Sequence, residues 1–171
     1  MPASLTRLYI CVHPDACVLE SVAGLSNLQR VHVKLRAHLG IPASPYMASL
    51  EPLTALRGSS LQHLVLEGGH EVESLQPLSV LTALTMLMCS SFWKISDLSP
   101  LTRLTSLQRL RLPDFLKLTH LGPLSALRGL RALDVSMSNW VSEWGALASL
   151  TQLSYLDCAF VRLSSLEPLA L

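Results

Sequence analysis

The side chains of this 171-residue chain that could bind a metal or perform catalysis are mainly scattered histidines and cysteines. His32 and His63 are candidates to approach each other across neighbouring strands, and His70 lies beside Glu71 and Glu73. Neither group has the number and spacing of ligands that a metal site requires. We therefore predict no metal site.

The remaining reactive residues also lack a functional pattern. Gly68-Gly69 has no downstream Lys-Ser/Thr, which a phosphate-binding loop requires. The four cysteines are too few and too scattered for a disulfide framework, although a redox or capping role is the less favoured alternative for two of them, Cys11 and Cys17. Cys89 and Cys158 occupy apolar strand positions, where cysteine packs as a small hydrophobe. We predict no catalytic residues and no cofactor, so the chain is not expected to be an enzyme.

The composition indicates one repeat array or domain with an aliphatic core. Half of the residues are hydrophobic, 15% are charged and 5% are aromatic. The formal net charge of +1 gives no overall attraction to nucleic acid or to an anionic membrane. No segment approaches the roughly 18 apolar residues that span a bilayer, and Met1–Ile10 does not resemble a secretory signal. We predict a cytoplasmic protein with no nucleic-acid or membrane partner.

An internal repeat is the strongest pattern in the chain. The motif L-x-x-L-x-L occurs at residues 107–112 and recurs with aliphatic or cysteine replacements. Its middle apolar residues are Leu8, Val31, Leu64, Leu87, Leu110, Leu133 and Leu156. Successive members are 23 residues apart, except that Val31 and Leu64 are 33 apart. The spacing predicts a single array of about seven units over residues 1–171, with an insertion near residues 40–60.

The two halves of each unit predict a strand and a return turn. Alternate side chains of the L-x-L segment face one side, as in a short strand. A Pro-Leu step recurs at Pro52, Pro77, Pro100, Pro123 and Pro168, and proline cannot donate a ladder hydrogen bond. Leu101, Leu104 and Leu107 have the spacing of a helical or 3₁₀ turn. We therefore predict an α/β solenoid, with a curved parallel sheet on its concave side and short helical or 3₁₀ turns and loops on its convex side.

Residues 95–112, with the sequence ISDLSPLTRLTSLQRLRL, resemble the leucine-rich-repeat superfamily. The segment is similar to the short repeats of bacterial internalins and of the phosphatase-regulatory type. The period of 23 residues and the D-L-S-P-L-T phrasing are also similar to repeat proteins of trypanosomatid parasites. The resemblance covers essentially the whole chain. It implies the leucine-rich-repeat fold and says little about function, because the superfamily recognises many unrelated partners.

The chain departs from this family pattern inside the turns. Family repeats usually carry Asn, or sometimes Cys, three residues after the last strand leucine, where the side chains form a hydrogen-bonded ladder. The corresponding residues here are His13, Arg36, Gly69, Phe92, Phe115, Ser138 and Val161. Main-chain bonds or buried water must then satisfy the turn backbone, and Phe92 and Phe115 are candidates for an apolar spine. We expect looser, less regular turns than the family's ideal.

Residues that alternate with the strand leucines are predicted to form a partner-binding face on the concave side. Methionine and tyrosine suit adaptable contact surfaces, and arginine is a frequent hot-spot residue. The alternative for any single residue is an ordinary solvated position. A triple change of Met88→Asp, Arg109→Glu and Arg111→Glu is expected to abolish partner capture without unfolding the array. The predicted binding residues are Arg7, Tyr9, Arg30, His32, Lys34, His63, Glu67, Met86, Met88, Arg109, Arg111, Asp134, Tyr155 and Asp157.

This face predicts a non-catalytic interaction module that binds a protein or peptide partner. A shallow open sheet lacks the water-excluding pocket that nucleophilic catalysis generally needs. One alternative is a regulatory or targeting subunit or domain of an enzyme such as a phosphatase or kinase. Another is a fragment of a longer array that self-associates through uncapped ends, because the chain stops in mid-unit at residues 168–171.

The insertion is a second, weaker candidate for binding. Pro and Ser favour a loop over residues 41–47, and loops of this kind can carry function. Tyr46 and Met47 are its candidate contact residues. A neutral expansion is the favoured alternative, because lengthening a loop costs little free energy.

Overall fold

Seven parallel strands form one sheet in which the spatial order of the strands follows the chain. The structure is a computed structural model that describes residues 5–12, 25, 27–35 and 49–162. The strands are β1 (Arg7–Val12), β2 (Arg30–Leu35), β3 (His63–Glu67), β4 (Met86–Ser90), β5 (Arg109–Arg111), β6 (Ala132–Asp134) and β7 (Tyr155–Asp157). The seven middle apolar residues of the repeat lie side by side, from Leu8 beside Val31 to Leu133 beside Leu156. The predicted register is therefore confirmed, including the pairing across the long interval.

The return segments on the convex side are short 3₁₀ helices. They span Glu51–Leu56, Gln76–Val80, Ser99–Arg103, Gly122–Ala126 and Gly145–Ser149. Proline occupies one of the first two positions in four of them, where a missing N–H donor costs nothing. In the third segment the amide of Leu104 donates to the carbonyl of Leu101, which is the three-residue spacing of a 3₁₀ turn. The expected convex turns are confirmed. No helix in the described ranges combines the length and apolar character needed to cross a membrane.

The core lies between the sheet and the 3₁₀ segments and runs along the stack. Leu104, Leu107, Leu110 and Leu112 are fully buried, and their counterparts in neighbouring units are buried as well. A buried leucine contributes about 1.5–3 kcal/mol, and here much of its cover comes from adjacent units. Leu8 in β1 and Leu156 in β7 are only partly buried. The interior units are therefore the best-packed part of the described chain.

Aromatic rings replace the family's asparagine ladder in the middle of the stack. Phe92 and Phe115 are fully buried, and their nearly parallel rings have centroids 5.7 Å apart. Gly69 makes room for this pair, because a Cβ atom at that position would lie 2.4 Å from the Phe92 ring. The expected apolar spine is confirmed. His13 and Arg36, at the equivalent positions, lie outside the described residues.

The turns that follow β3 to β7 are regular, so the expectation of irregular turns was wrong for them; the turns after β1 and β2 lie outside the described residues. Residues at a constant interval of 23 adopt left-handed backbone conformations with φ from 57° to 81°: Gly68, Ser91, Asp114, Met137 and Phe160. Main-chain bonds between adjacent turns set this geometry, as in the 2.9 Å bond from the Met137 amide to the Ala159 carbonyl. The Ser138 hydroxyl accepts from the Phe115 amide and donates to the Leu112 carbonyl. These bonds satisfy the Phe115 and Met137 amides of the turns without asparagine.

The long unit has extra residues on both sides of its 3₁₀ helix. Leu53 follows Val31 by 22 positions, whereas Leu78 follows Leu64 by 14. Eight of the ten additional residues therefore precede Leu53. The other two follow it, where Gly58 adopts a φ of 72°. Residues 41–47, including the candidates Tyr46 and Met47, lie outside the described residues.

Candidate functional site

The concave face of the sheet carries three parallel rows of side chains, because residues at alternate strand positions point away from the core. The register places every predicted binding residue on one of these rows. The first row is Arg7, Arg30, His63, Met86, Arg109, Ala132 and Tyr155. The central row is Tyr9, His32, Val65, Met88, Arg111, Asp134 and Asp157. The third row includes Cys11, Lys34, Glu67 and Ser90.

Charges near the start of the central and third rows compensate one another. The Glu67 carboxylate lies 3.2 Å from Nε2 of His32 and 3.7 Å from Nζ of Lys34. The His32 approach is close but does not have hydrogen-bond geometry, so this nitrogen has no hydrogen-bond partner within the described chain. The ring of His32 also packs edge-on against Tyr9, with centroids 4.5 Å apart. Tyr9 itself is 63% exposed and is available for contact.

A second compensated group lies where β5 meets β6. Nε of Arg111 donates to Oδ2 of Asp134 over 2.9 Å, and the amide and hydroxyl of Ser136 donate to Oδ1. Asp134 is only 3% exposed. Its burial raises the pKa of the carboxyl, but the hydrogen bonds from Ser136 and Arg111 outweigh this effect and hold the pKa below its usual value. Asp134 and Arg111 therefore stabilise the fold.

This pairing changes what is expected of the triple substitution. Arg111→Glu would place a second carboxylate beside the buried carboxylate of Asp134, which would lose a charge-assisted hydrogen bond. We now expect this component to destabilise the array. Arg109→Glu and Met88→Asp do not disturb an ion pair within the described residues.

The acidic end of the face also shapes its turns. The Asp157 carboxylate accepts a 3.0 Å hydrogen bond from the Ala159 amide, as Asp134 does from the Ser136 amide. Both are Asx-type contacts, in which an aspartate side chain bonds to the backbone two residues later. The Tyr155 hydroxyl lies 3.5 Å from Asp157 and the tyrosine is 57% exposed. Sequence reasoning missed these turn-forming roles, although the strand-ending aspartates were a signal for them.

The first row has positive charge that no acid in the described ranges neutralises by an ion pair. Arg7, Arg30 and Arg109 are exposed and form no ion pair with any residue in the described ranges. Arg7 lies directly beside Arg30, and Arg30 lies directly beside His63. Burial, together with the charges of Arg30 and Arg109, lowers the pKa of His63. The positive potential of this row is therefore available to a ligand.

An open depression lies over the first four strands. Its volume is about 380 Å³, and it is shallow and mainly apolar. The lining residues are Arg7, Leu8, Tyr9, Arg30, Val31, His32, His63, Val65 and Met86. The combination of apolar walls and arginine edges suits a side chain of a bound protein or peptide.

The other reactive residues do not assemble into a centre. Within the described ranges, no group of three or more His, Cys, Asp or Glu residues has metal-binding geometry. Cys89 is buried, and its burial raises the pKa of the thiol. Cys11 is exposed and Cys158 is partly buried, both as free cysteines, while Cys17 lies outside the described residues.

A polar cluster connects three turns at the edge where the strands end. Nζ of Lys94 lies 2.7 Å from the Glu71 carboxylate and 3.1 Å from that of Glu73. Hydrogen bonds to these two acids raise the pKa of Lys94. His70 stacks on Trp93, with ring centroids 3.9 Å apart, and the Trp93 indole donates to another turn residue, Asp114. Glu71 and Glu73 therefore pair with Lys94, and His70 packs on Trp93.

The same edge also exposes large apolar side chains. They are Trp93, Leu116, Met137, Trp140 and Phe160. The guanidinium of Arg162 lies 5.6 Å from the ring centroid of Trp140. Sequence reasoning did not identify Met137 and Phe160 as exposed apolar residues. Their signal was the repeat itself, because both occupy the position at which an earlier unit has Gly68.

Known structures are similar to this chain in fold. An internalin (inlF) from Listeria monocytogenes is 19% identical with a TM-score of 0.62, over 98% of this chain and 52% of that one. An internalin C2 from the same organism is 23% identical with a TM-score of 0.62, over 87% of this chain and 69% of that one. This chain thus spans about half the length of the first. No protein-family model and no curated protein matches it. The shared architecture and the seven parallel strands show that the chain has the leucine-rich-repeat solenoid fold.

Proposed function

We propose that the chain is a non-catalytic interaction module that binds a protein or peptide partner across its concave face. The observation that carries the proposal is the first row. Arg7 and Arg30 line an apolar depression, Arg109 lies one strand beyond its Met86 edge, and none of the three forms an ion pair among the described residues. Buried hot spots of protein interfaces commonly combine arginine with aromatic or apolar contacts. Leucine-rich-repeat folds in general serve as interaction modules, which agrees with this reading.

The dimensions of the face favour an extended partner segment. Six spacings of about 4.8 Å separate the outermost strands, which gives a length of about 29 Å. The outer rows are four residues apart along a strand, or about 13 Å. These dimensions suit a peptide strand or one secondary-structure element, and they exceed the size of a typical small-molecule pocket.

Affinity capture with matched variants tests the proposal. Met88→Asp with Arg109→Glu changes the concave face, whereas Ala126→Asp with Arg128→Glu makes the same charge change at exposed positions on and after a convex 3₁₀ segment. Circular dichroism first establishes that both variants fold. The proposal predicts that proteins captured by the unmodified chain are lost from the concave variant and kept by the convex variant. Equal recovery by the two variants would contradict it.

The identity of the captured proteins separates this proposal from its alternative. Recovery of a phosphatase or kinase catalytic subunit would favour a regulatory or targeting role on the same face. A cytoplasmic location and self-association through the ends stay predictions from the sequence.

A further inference from the structure

The first row places like charges beside each other. Arg7 and Arg30 are lateral neighbours on β1 and β2, and Arg30 is followed by His63 on β3. Like charges at directly adjacent sheet positions are destabilising. No acidic side chain in the described ranges forms an ion pair with these arginines. The folded chain therefore has a repulsion that a bound anion would relieve.

In the neighbouring rows, two acids each lie directly beside a base, although Asp134 also has another acid, Asp157, as its second lateral neighbour. Glu67 lies directly beside Lys34, and Asp134 lies directly beside Arg111. Each acid contacts its basic neighbour. The lateral neighbours of Arg109, in contrast, are Met86 and Ala132, which are uncharged. In the described strands, no arginine of the first row therefore has an acid as its lateral neighbour.

We propose that this row binds an extended acidic segment of a partner protein, with a carboxylate at each end and an apolar side chain between them. The inference rests on the proposed function and deepens it by naming the chemistry of the partner. One carboxylate would bind between Arg7 and Arg30, and the other would bind at Arg109. The apolar side chain would lie over His63 and Met86, in the depression.

The spacing of the row defines the motif. Arg7 and Arg30 are one strand spacing apart, about 4.8 Å, so one carboxylate can contact both guanidinium groups. The point midway between Arg7 and Arg30 is three and a half strand spacings from Arg109, about 17 Å, and the long glutamate and arginine side chains can cover about 3 Å of this span. Four residues of an extended chain cover about 13–14 Å, and residues i, i+2 and i+4 face the same side. The matching sequence is acidic-x-apolar-x-acidic.

The pKa of His63 should report binding of carboxylates at the neighbouring arginines. The groups near it are Arg30 and His32 from β2, Met86 from β4, Arg109 from β5 and Glu67 on its own strand. In the free protein, burial and the two arginines lower its pKa. Carboxylates bound at the arginines favour the protonated imidazole, so binding raises this pKa and takes up a proton. Affinity should therefore increase as pH falls from about 7.5 to about 5.5, a range in which glutamate stays ionised.

The composition of the site disfavours nucleic acid as the occupant. The chain has a net charge of only +1, and the depression is lined by Leu8, Val31, Val65 and Met86 among its apolar residues. Nucleic-acid sites usually neutralise many phosphates with a broad basic surface. Two arginines that line an apolar depression, with a third one strand beyond it, suit a short acidic and apolar peptide better.

Equilibrium titration of dye-labelled peptides with the full chain tests the motif. The probe contains Glu-Ser-Leu-Ser-Glu between Gly-Ser flanks, and its fluorescence anisotropy is followed at low ionic strength. Control peptides replace both Glu with Gln, replace Leu with Ser, or place the two Glu side by side. A labelled oligonucleotide tests the nucleic-acid alternative. The proposal predicts tightest binding by the probe and weaker binding by every control.

Variants of the chain locate the contact. Arg30→Gln and Arg109→Gln should each weaken binding of the probe by about three- to fivefold, and together by about tenfold, because each removes one exposed charge contact. Arg128→Gln, off the concave face, should leave binding unchanged. His63→Asn should reduce the increase in affinity at lower pH.

Several results would overturn the inference. Equal binding of the Glu and Gln peptides, tighter binding of the oligonucleotide, or equal effects of Arg109→Gln and Arg128→Gln would each contradict an acidic occupant. None of these results would contradict the proposal that the concave face binds a protein or peptide partner, which the capture experiment tests separately. A captured partner lost from the concave variant would still support binding on this face, by a segment of other chemistry.

Discussion

Arg109 and Arg111 lie two residues apart on β5 and face the same side of the sheet, yet their surroundings differ. Arg111 has Asp134 as its lateral neighbour and donates to that buried carboxylate. Arg109 has Met86 and Ala132 beside it and forms no ion pair in the described part of the chain. The residue one unit away therefore decides whether an exposed charge on a repeat face stabilises the fold or remains available to a partner.

Charge reversal at the two arginines gives the largest expected contrast. Arg111→Glu should lower the free energy of unfolding by about 2–3 kcal/mol, because it removes a charge-assisted bond to a buried carboxylate and adds repulsion. Solvent screens part of this effect, since the Arg111 side chain is 51% exposed. Arg109→Glu should change stability by less than about 0.5 kcal/mol. Urea denaturation of both variants measures the contrast, and equal losses would show that the Asp134 contact is unimportant.

The pH dependence of stability examines the acidic partner of this pair. The pKa of Asp134 is lower in the folded chain than its ordinary value of 3.8, so its stabilising effect is fully present above that value. The effect is lost as pH falls through the folded-state pKa. We expect Asp134→Asn to cost about 1–2 kcal/mol at neutral pH, with a smaller difference from the unmodified chain below about pH 4. Urea titrations across this range measure it, and a difference independent of pH would contradict the assigned hydrogen bonds.

The smallest expected effect concerns the pKa of His63, which lies between the arginines of the first row. Arg30→Gln and Arg109→Gln should each move the pKa of His63 upward, towards its ordinary value of 6.5, because each removes a nearby positive charge. Stability should change by less than about 0.5 kcal/mol. NMR titration of the His63 ring follows the pKa directly. Arg128→Gln serves as the control, and an unchanged His63 pKa in both test variants would mean that the first row has no shared electrostatic field.

The fold was predictable because the 23-residue repeat indicates both where each strand lies and how neighbouring strands align. A repeat of 23 residues places Leu87, Leu110 and Leu133 side by side, and the Pro-Leu step marks the return turn. Turn regularity was less predictable. The sequence lacked the family's asparagine, and only the structure shows that main-chain bonds and the Ser138 hydroxyl replace it.

The candidate face was predictable in its members but not in their roles. Alternation along each strand was enough to place Arg109, Arg111 and Asp134 on one side of the sheet. It does not tell which charges neutralise one another, because that depends on the neighbour one unit away and on local bonds such as those from Ser136. Burial of Asp134 under these contacts is a three-dimensional property that periodicity alone does not reveal.

We infer that the first row binds an acidic partner, whereas the ion pair of Arg111 and Asp134 stabilises the fold. The NMR signals of the arginine side-chain Nε atoms test this inference directly. Heteronuclear NMR during titration with the Glu-Ser-Leu-Ser-Glu peptide would follow each arginine separately. We expect the signals of Arg7, Arg30 and Arg109 to move together and the Arg111 signal to stay in place. Equal movement of Arg111, or no movement of the other three at saturating peptide, would contradict it.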